Sequence, residues 1–161
     1  IFTNSGMSVF NLFESTVRTK SGKKQDLEEV LFQQQYHTIY LMLGINELGY
    51  DYSSIIRKYQ SVVDTIKTRQ PNAVIVLGAN LHVTAQKSSS SSTYTNEKIN
   101  QINSGIRAIA ENSDCCYIDV NSIFDDENGA LKTSYSTDGS HVLGKYYSVW
   151  TDWLKGESPD A

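Results

Sequence analysis

Long hydrophobic runs are missing from this 161-residue chain. No stretch approaches the roughly 20 apolar residues that a membrane-spanning helix needs, so the sequence predicts no membrane span. Basic charge is also scarce, because 14 Lys and Arg stand against 18 Asp and Glu, which gives a net charge of −4. A nucleic-acid surface needs clustered Lys and Arg, and we therefore expect no nucleic-acid partner.

Recognisable cofactor and metal motifs are missing too. Neither G-x-x-x-x-G-K nor G-x-G-x-x-G occurs, so nucleotide binding has no support from motifs. The three histidines lack acidic or cysteine partners at metal-ligand spacing, so the sequence predicts no metal site. His37 opens an apolar run and is interpreted as structural, whereas His82 is a candidate to line a ligand crevice.

Cysteine is scarce and carries little information. Cys115 and Cys116 are adjacent, and we predict that they are small buried residues at the start of a strand. They indicate no compartment. Because the chain opens on IFTN rather than on Met, its cellular location is left unknown, either extracellular or cytoplasmic.

What is present is the composition of an ordinary globular domain with a core, at 39% hydrophobic and 20% charged residues. Three short apolar runs are predicted to be strands: HTIYLML (37–43), AVIVLGAN (73–80) and CYIDV (116–120). Their apolarity is continuous, which is typical of strands covered on both faces in a parallel sheet. Helical spacing of apolar residues occurs in four segments: 24–34, 52–69, 95–112 and 144–154. Strand and helix alternate, so the sequence predicts a single α/β domain.

Two other stretches are less regular. The opening IFTN, with Ser5, Gly6 and MSVFNLF after it, has the pattern of a strand end, a turn and a short helix. The serine-rich KSSSSSTY (87–94) is predicted to be a loop. Loops after strand ends frame the ligand crevice of an open α/β sheet, so this loop is either a substrate-facing rim or a surface loop without a role.

Polar residues follow the predicted strands. Asn46 and Glu47 come after the strongest strand, where the Asn46 amide can donate into a crevice or simply belong to a turn. Gly6 has a backbone N–H that can point at a developing oxyanion. In DGSH, Asp138 can accept a hydrogen bond from one imidazole nitrogen of His141 and leave the other nitrogen as a general base. The same four residues can also be a capped turn, and both interpretations are open.

In chain order these parts read N-S-G, L-G-I-N-E and D-G-S-H. This order resembles the SGNH hydrolases, also called the GDSL lipase/esterase family, over nearly the whole chain. That family has a G-D-S block with the nucleophilic serine, a Gly after the second strand, a G-x-N-D after the third strand and a D-x-x-H near the C terminus. The last three blocks have counterparts here, with Glu47 in place of the Asp that usually follows the Asn.

The resemblance implies a flavodoxin-like three-layer α/β/α sandwich with a mainly parallel sheet. It implies that Gly6 gives its backbone N–H and Asn46 its side-chain amide to the oxyanion hole. It also implies that His141 is the general base and that Asp138 orients it. Such enzymes transfer an acyl group through a serine ester and need no metal or cofactor. The implied partner is a small-molecule ester substrate, and the oligomeric state is unknown.

The block that carries the nucleophile is absent, since no G-D-S occurs in these residues. In the family this block ends the first strand, so we expect residues 1–161 to be one SGNH hydrolase-like domain that is N-terminally incomplete and lacks that strand. A truncated longer enzyme is the explanation we favour. A strand from another chain or element is a second, and a different serine, Ser5 or Ser8, is a third. Ser5 adjoins Gly6 on the donor side rather than facing His141, so the third is the weakest. We therefore expect a serine esterase whose 161 residues alone are inactive.

A non-catalytic flavodoxin-like binding module is the alternative. It explains the strand–helix order and the missing serine, but not why the oxyanion and acid–base residues occur together. The Ser, Thr and Tyr residues of 82–95 favour a polar substrate, such as a short acyl or O-acetyl ester of a carbohydrate, over a long acyl chain.

Overall fold

Strands and helices alternate along the part of the chain that the structure describes. The computed structural model describes residues 16–18, 24–26, 37–41, 49–139, 143–146, 148–149 and 152–153. The strands are β1 (Thr16–Arg18), β2 (Lys24–Asp26), β3 (Thr38–Leu41), β4 (Val74–Gly78) and β5 (Cys116–Ile118). The helices are α1 (Tyr52–Arg69), α2 (Ala85–Ser90), α3 (Asn96–Asn112) and α4 (Asn121–Phe124), with 3-10 turns at Thr133–Tyr135 and Gly144–Tyr146. None of these helices has the length and apolarity to cross a membrane.

Within the described residues, three strands form a parallel sheet, with β4 between β3 and β5. Thr38 pairs with Val74 on one side of β4, and Val76 pairs with Cys116 on the other. The side chains of Val76 and Leu77 are fully buried, as expected for an interior strand with a continuous apolar run. The predicted α/β fold with a parallel sheet is confirmed. Residues 42–43 of the first predicted strand lie outside the described residues.

Helices α1 and α3 match the predicted segments 52–69 and 95–112 to within a residue. The Asp51 side chain caps α1 by accepting the N–H of Ser54, and Thr95 caps α3. The apolar stripes of both helices join the sheet residues in one core cluster. The helices contact each other at Gly105, where a Cβ would overlap Ile56 Cδ1, so a larger residue would require the Ile56 side chain to shift.

The prediction of a helix over 24–34 is wrong at its start. Residues Lys24–Asp26 are β2, which pairs antiparallel with β1 so that Thr16 lies opposite Asp26. The helical spacing depended on apolar residues from Leu27 onward, whereas a short strand pair is held by backbone hydrogen bonds and needs no apolar period. Residues 27–34 lie outside the described residues.

The prediction of a serine-rich loop over 87–94 is also wrong in its first half, because α2 continues to Ser90. Thr84 caps this helix by accepting the N–H of Lys87 at 3.3 Å. The Ser90 hydroxyl donates to the Lys87 carbonyl, and the Ser88 hydroxyl accepts the N–H of Asn96. Serine hydroxyls thus satisfy main-chain groups that water would otherwise satisfy.

A second, smaller core cluster lies under the C-terminal part of the chain. Phe124, Val120 and Leu131 are its buried members. The ring of Tyr135 meets Phe124 edge-on at 5.3 Å and Tyr146 at 4.6 Å. These aromatic contacts hold Tyr135 and Tyr146 against the cluster around Phe124 of α4. Beyond it, the described residues at 148–149 and 152–153 are helical, within the predicted helix 144–154.

Candidate active site

The segment after β4 brings the C-terminal part of the chain to the carboxyl edge of the sheet. The Thr84 N–H donates to the Gly139 carbonyl at 2.9 Å, and the Leu131 N–H donates to the Val83 carbonyl at 3.1 Å. Ligands of open α/β sheets bind outside the carboxyl ends of the strands. Asp138 therefore lies next to the segment that follows the carboxyl end of β4.

Asp138 stands in a tight turn that its neighbours define. The Gly139 N–H donates to the Ser136 hydroxyl oxygen at 3.0 Å, and that hydroxyl donates to Asp138 Oδ1 at 3.1 Å. Gly139 has a φ of +82°, and a Cβ there would lie 2.9 Å from Thr84 Oγ1. Both the backbone conformation and the close approach require glycine. The turn fixes one carboxylate oxygen of Asp138 and leaves the side chain exposed.

Of the predicted site residues, the structure describes Asp138 alone. The others lie outside the described residues: Gly6, Asn46, His141 and the two serines Ser5 and Ser8. The pairing of Asp138 with His141 and the oxyanion hole therefore stay predictions. Across the described ranges, no group of three or more His, Cys, Asp or Glu side chains is placed to hold a metal ion.

A polar cleft of about 320 Å³ opens beside Asp138. Asp138 and Gly139 form part of its wall, and helix α2 contributes Gln86, Lys87 and Ser90. Hydroxyl groups complete it: Thr84, Thr133, Ser136 and Thr137. The lining combines hydrogen-bond donors and acceptors with one ammonium group, so the cleft suits a polar ligand.

The structure contains an Asp–His pair that the sequence did not predict. His82 Nδ1 lies 2.8 Å from Asp125 Oδ2, and His82 Nε2 lies 2.5 Å from Asn100 Oδ1. Burial disfavours the imidazolium, but the hydrogen bonds to Asp125 and Asn100 and the nearby charge of Asp119 outweigh it, so the pKa of His82 is raised. With an acceptor at each nitrogen, the ring donates from both in its protonated form.

This pair cannot serve as the catalytic dyad. His82 is only 8% exposed, and both ring nitrogens already have partners, so neither can take a proton from a substrate. The prediction that His82 lines the crevice is therefore wrong. Within the described part of the chain, the other carboxylate oxygen of Asp125 is buried without a hydrogen-bond partner. The hydrogen bond to His82 is therefore the one that the described residues give to this carboxylate.

Asparagine side chains surround His82, and sequence reasoning missed them. Asn96, Asn100 and Asn103 recur at helical spacing in α3 and so share one face of it. Each bonds to the segment from 80 to 83. Their spacing of i, i+4 and i+7, next to the apolar stripe of α3, is the signal in the sequence that could have revealed these asparagines. Polar side chains on a buried helix face need hydrogen-bond partners.

Comparison with known proteins identifies the family. The model of the GDSL-like lipase/acylhydrolase family matches residues 7–147. The chain belongs to this family. No curated protein matches the chain significantly. The resemblance to SGNH hydrolases found in the sequence is thus confirmed, and with it membership of a family of ester hydrolases.

Solved structures with the SGNH hydrolase fold are similar to this chain. A protein from Streptococcus pneumonia that carries the provisional name platelet activating factor is 22% identical at a TM-score of 0.76, with 94% of this chain and 68% of that one covered. A GDSL-like lipase from Bacteroides thetaiotaomicron is 17% identical at a TM-score of 0.67, with 94% and 71% covered. An acetyl xylan esterase is 16% identical at a TM-score of 0.65, with 94% and 77% covered. At these identities the likeness establishes the fold alone.

Proposed function

We propose that this GDSL-family chain is the body of a serine esterase that removes short acyl groups, O-acetyl groups above all, from a carbohydrate. The observation that carries the proposal is the polar cleft beside Asp138. Its lining of hydroxyl, amide and ammonium groups matches a ligand rich in hydroxyl groups. A long acyl chain would call for an apolar lining at this position. The acetyl xylan esterase among the similar structures acts, by its name, on such an ester.

The catalytic roles proposed are those of the family's blocks. His141 takes the proton of the nucleophilic hydroxyl, and Asp138 orients the imidazole and stabilises its protonated form. The Gly6 N–H and the Asn46 amide stabilise the oxyanion of the tetrahedral intermediate. The turn around Gly139, with Ser136 bonded to one oxygen of Asp138, supports this role because it holds the carboxylate in place.

The nucleophile is proposed to be a serine of a G-D-S block that these 161 residues do not contain. We also propose that residues 1–161 form one domain and that they do not hydrolyse esters by themselves. The body of the domain would then supply the general base and the oxyanion hole to a serine carried by another stretch of polypeptide.

The test compares the 161-residue chain with a chain extended at its N terminus by a G-D-S block. We expect hydrolysis of p-nitrophenyl acetate and release of acetate from acetylated xylan by the extended chain alone. In that chain, His141→Ala and Asp138→Asn should each lower kcat about 10⁴-fold, because each removes part of the acid–base machinery. Ser134→Ala, an exposed position outside the cleft lining, is the matched control and should leave kcat unchanged.

Two results would contradict the proposal in different ways. Hydrolysis by the 161-residue chain that His141→Ala abolishes would mean that a serine inside it serves as the nucleophile. An extended chain without esterase activity would favour the non-catalytic binding module. Hydrolysis of the nitrophenyl ester with no release of acetate from xylan would overturn the carbohydrate substrate and keep the esterase.

A further inference from the structure

Side-chain amides bond to the main chain at Asn80, His82 and Val83, in the segment between β4 and α2. Asn103 accepts the Asn80 N–H at 2.7 Å and donates to the Asn80 carbonyl at 3.0 Å. Asn96 makes the same pair of bonds to Val83, at 2.9 and 3.0 Å. Asn121 accepts the His82 N–H at 2.8 Å and donates to the Asn80 carbonyl at 3.0 Å. We call Asn96, Asn103 and Asn121 the amide clamp.

His82 lies at the centre of the amide clamp and ties it to two further elements. Its ring joins Asn100 of α3 to Asp125 at the end of α4. Among the described residues, the charged groups that act on the ring are Asp125 and Asp119, and α3 presents the neutral Asn100 to it. A single imidazole ring therefore links the loop after β4, the helix α3 and the acidic end of α4.

The residues directly after His82 hold the Asp138 turn. Val83 accepts the Leu131 N–H through its carbonyl, and Thr84 donates to the Gly139 carbonyl. Because Gly139 follows Asp138, any displacement of 83–84 moves the carboxylate. The contact between Thr84 and Gly139 leaves no room for a Cβ, so the two segments move together.

We propose that His82 is a positioning residue for catalysis: its bonds to Asn100 and Asp125 fix residues 83–84, and these fix the Asp138 carboxylate toward His141. The part about His141 rests on the proposed function. His82 touches no substrate and moves no proton in the reaction. Its ring acts through the main chain of the neighbouring residues, because its two nitrogens are hydrogen-bonded to Asp125 and Asn100.

The first test measures amide hydrogen exchange in the 161-residue chain with His82→Gln. We expect protection to fall about 10- to 100-fold at the amides of Thr84 and Leu131. The substitution removes the hydrogen bond between His82 and the Asp125 carboxylate, which holds the main chain next to these amides. The β4 amides, such as that of Leu77, should keep their protection. His37→Gln, at an exposed histidine, is the matched control and should change neither set. Unchanged protection at Thr84, or an equal fall at Thr84 and Leu77, would overturn the proposal.

The role of His82 can also be tested in the chain without substitutions, where no variant can misfold. Nitrogen NMR of the three imidazoles follows the loss of the His82 proton as pH rises, and exchange at Thr84 is compared with that at Leu77 after correction for intrinsic rates. We expect Thr84 to lose protection relative to Leu77 in the pH range in which His82 titrates. A constant ratio across that range would overturn the proposal.

The second test measures the pKa of His141 in variants of the chain. It distinguishes a failure of the positioning role of His82 from a failure of the proposed Asp138–His141 pair. Asp138→Asn should lower that pKa, because it removes a charge that favours the imidazolium. His82→Gln should lower it in the same direction, and His37→Gln should not. If Asp138→Asn has no effect, the proposed dyad is wrong, and the role of His82 in positioning it falls too. If Asp138→Asn lowers the pKa and His82→Gln does not, the dyad stands and the positioning role alone is overturned.

Discussion

Substitution of Asn103 tests the amide clamp through its effect on the free energy of unfolding. The side chain is only 6% exposed and makes two hydrogen bonds to the backbone of Asn80. Asn103→Ala removes the side-chain oxygen that accepts the buried Asn80 N–H, and the loss of that bond costs about 1–3 kcal/mol. The Asn80 carbonyl keeps its bond from Asn121, so the second lost bond adds only about 0.5–1.5 kcal/mol. We therefore expect a loss of about 2–4 kcal/mol in the free energy of unfolding.

Urea unfolding at constant pH measures this loss through the midpoint, provided that the m value is unchanged. Asn112→Ala is the matched control, because Asn112 ends the same helix at an exposed position. It should change the free energy of unfolding by less than about 0.5 kcal/mol. Asn103→Asp keeps the acceptor for the Asn80 N–H but turns a carboxylate oxygen toward the Asn80 carbonyl, so it should destabilise at neutral pH and recover as the carboxyl is protonated. A loss below about 0.5 kcal/mol for Asn103→Ala would refute the reasoning.

Two further predictions concern the turn and the buried imidazolium. Gly139→Ala should cost more than Gly129→Ala in urea unfolding: both glycines have positive φ, worth about 1–2 kcal/mol, but only a Cβ at 139 meets Thr84. Equal losses would show that the contact with Thr84 does not matter. Because the pKa of His82 is raised on folding, its contribution to stability is complete below about pH 6.5 and is lost as pH rises through the raised value. His82→Gln should remove that pH dependence from the urea midpoints, His37→Gln should keep it, and an unchanged slope in His82→Gln would contradict the assignment.

The central elements were predictable because their signals are local and strong. The continuous apolar run around β4 and the apolar stripes of α1 and α3 each specify one element, and burial of those residues gives one core. The family could also be inferred, since each block is a short contiguous motif.

The features that the sequence analysis missed have signals that are either weak or spread over distant parts of the chain. β2 is three residues without an apolar member, so its pairing with β1 leaves no periodic trace. Half of helix α2 is serine, and the hydrogen bonds from Ser89 and Ser90 to nearby carbonyls leave no trace in the spacing of apolar residues. The environment of His82 depends on partners 18 and 43 residues away, and no local pattern specifies such distances.

The amide clamp also has a consequence for how this chain can diverge. Its amides bond to main-chain atoms, which every residue type except proline supplies in the same form, so the clamp constrains the path of residues 80–83 more than their side chains. Gln86 and Lys87 lie a few residues beyond it, in the wall of the cleft. Substitutions there change the surface offered to a ligand while the path that leads to Asp138 is preserved. Side chains in the cleft wall thus determine ligand preference, whereas main-chain atoms determine the position of Asp138. A substitution in the cleft wall can therefore change ligand preference and leave the position of Asp138 unchanged.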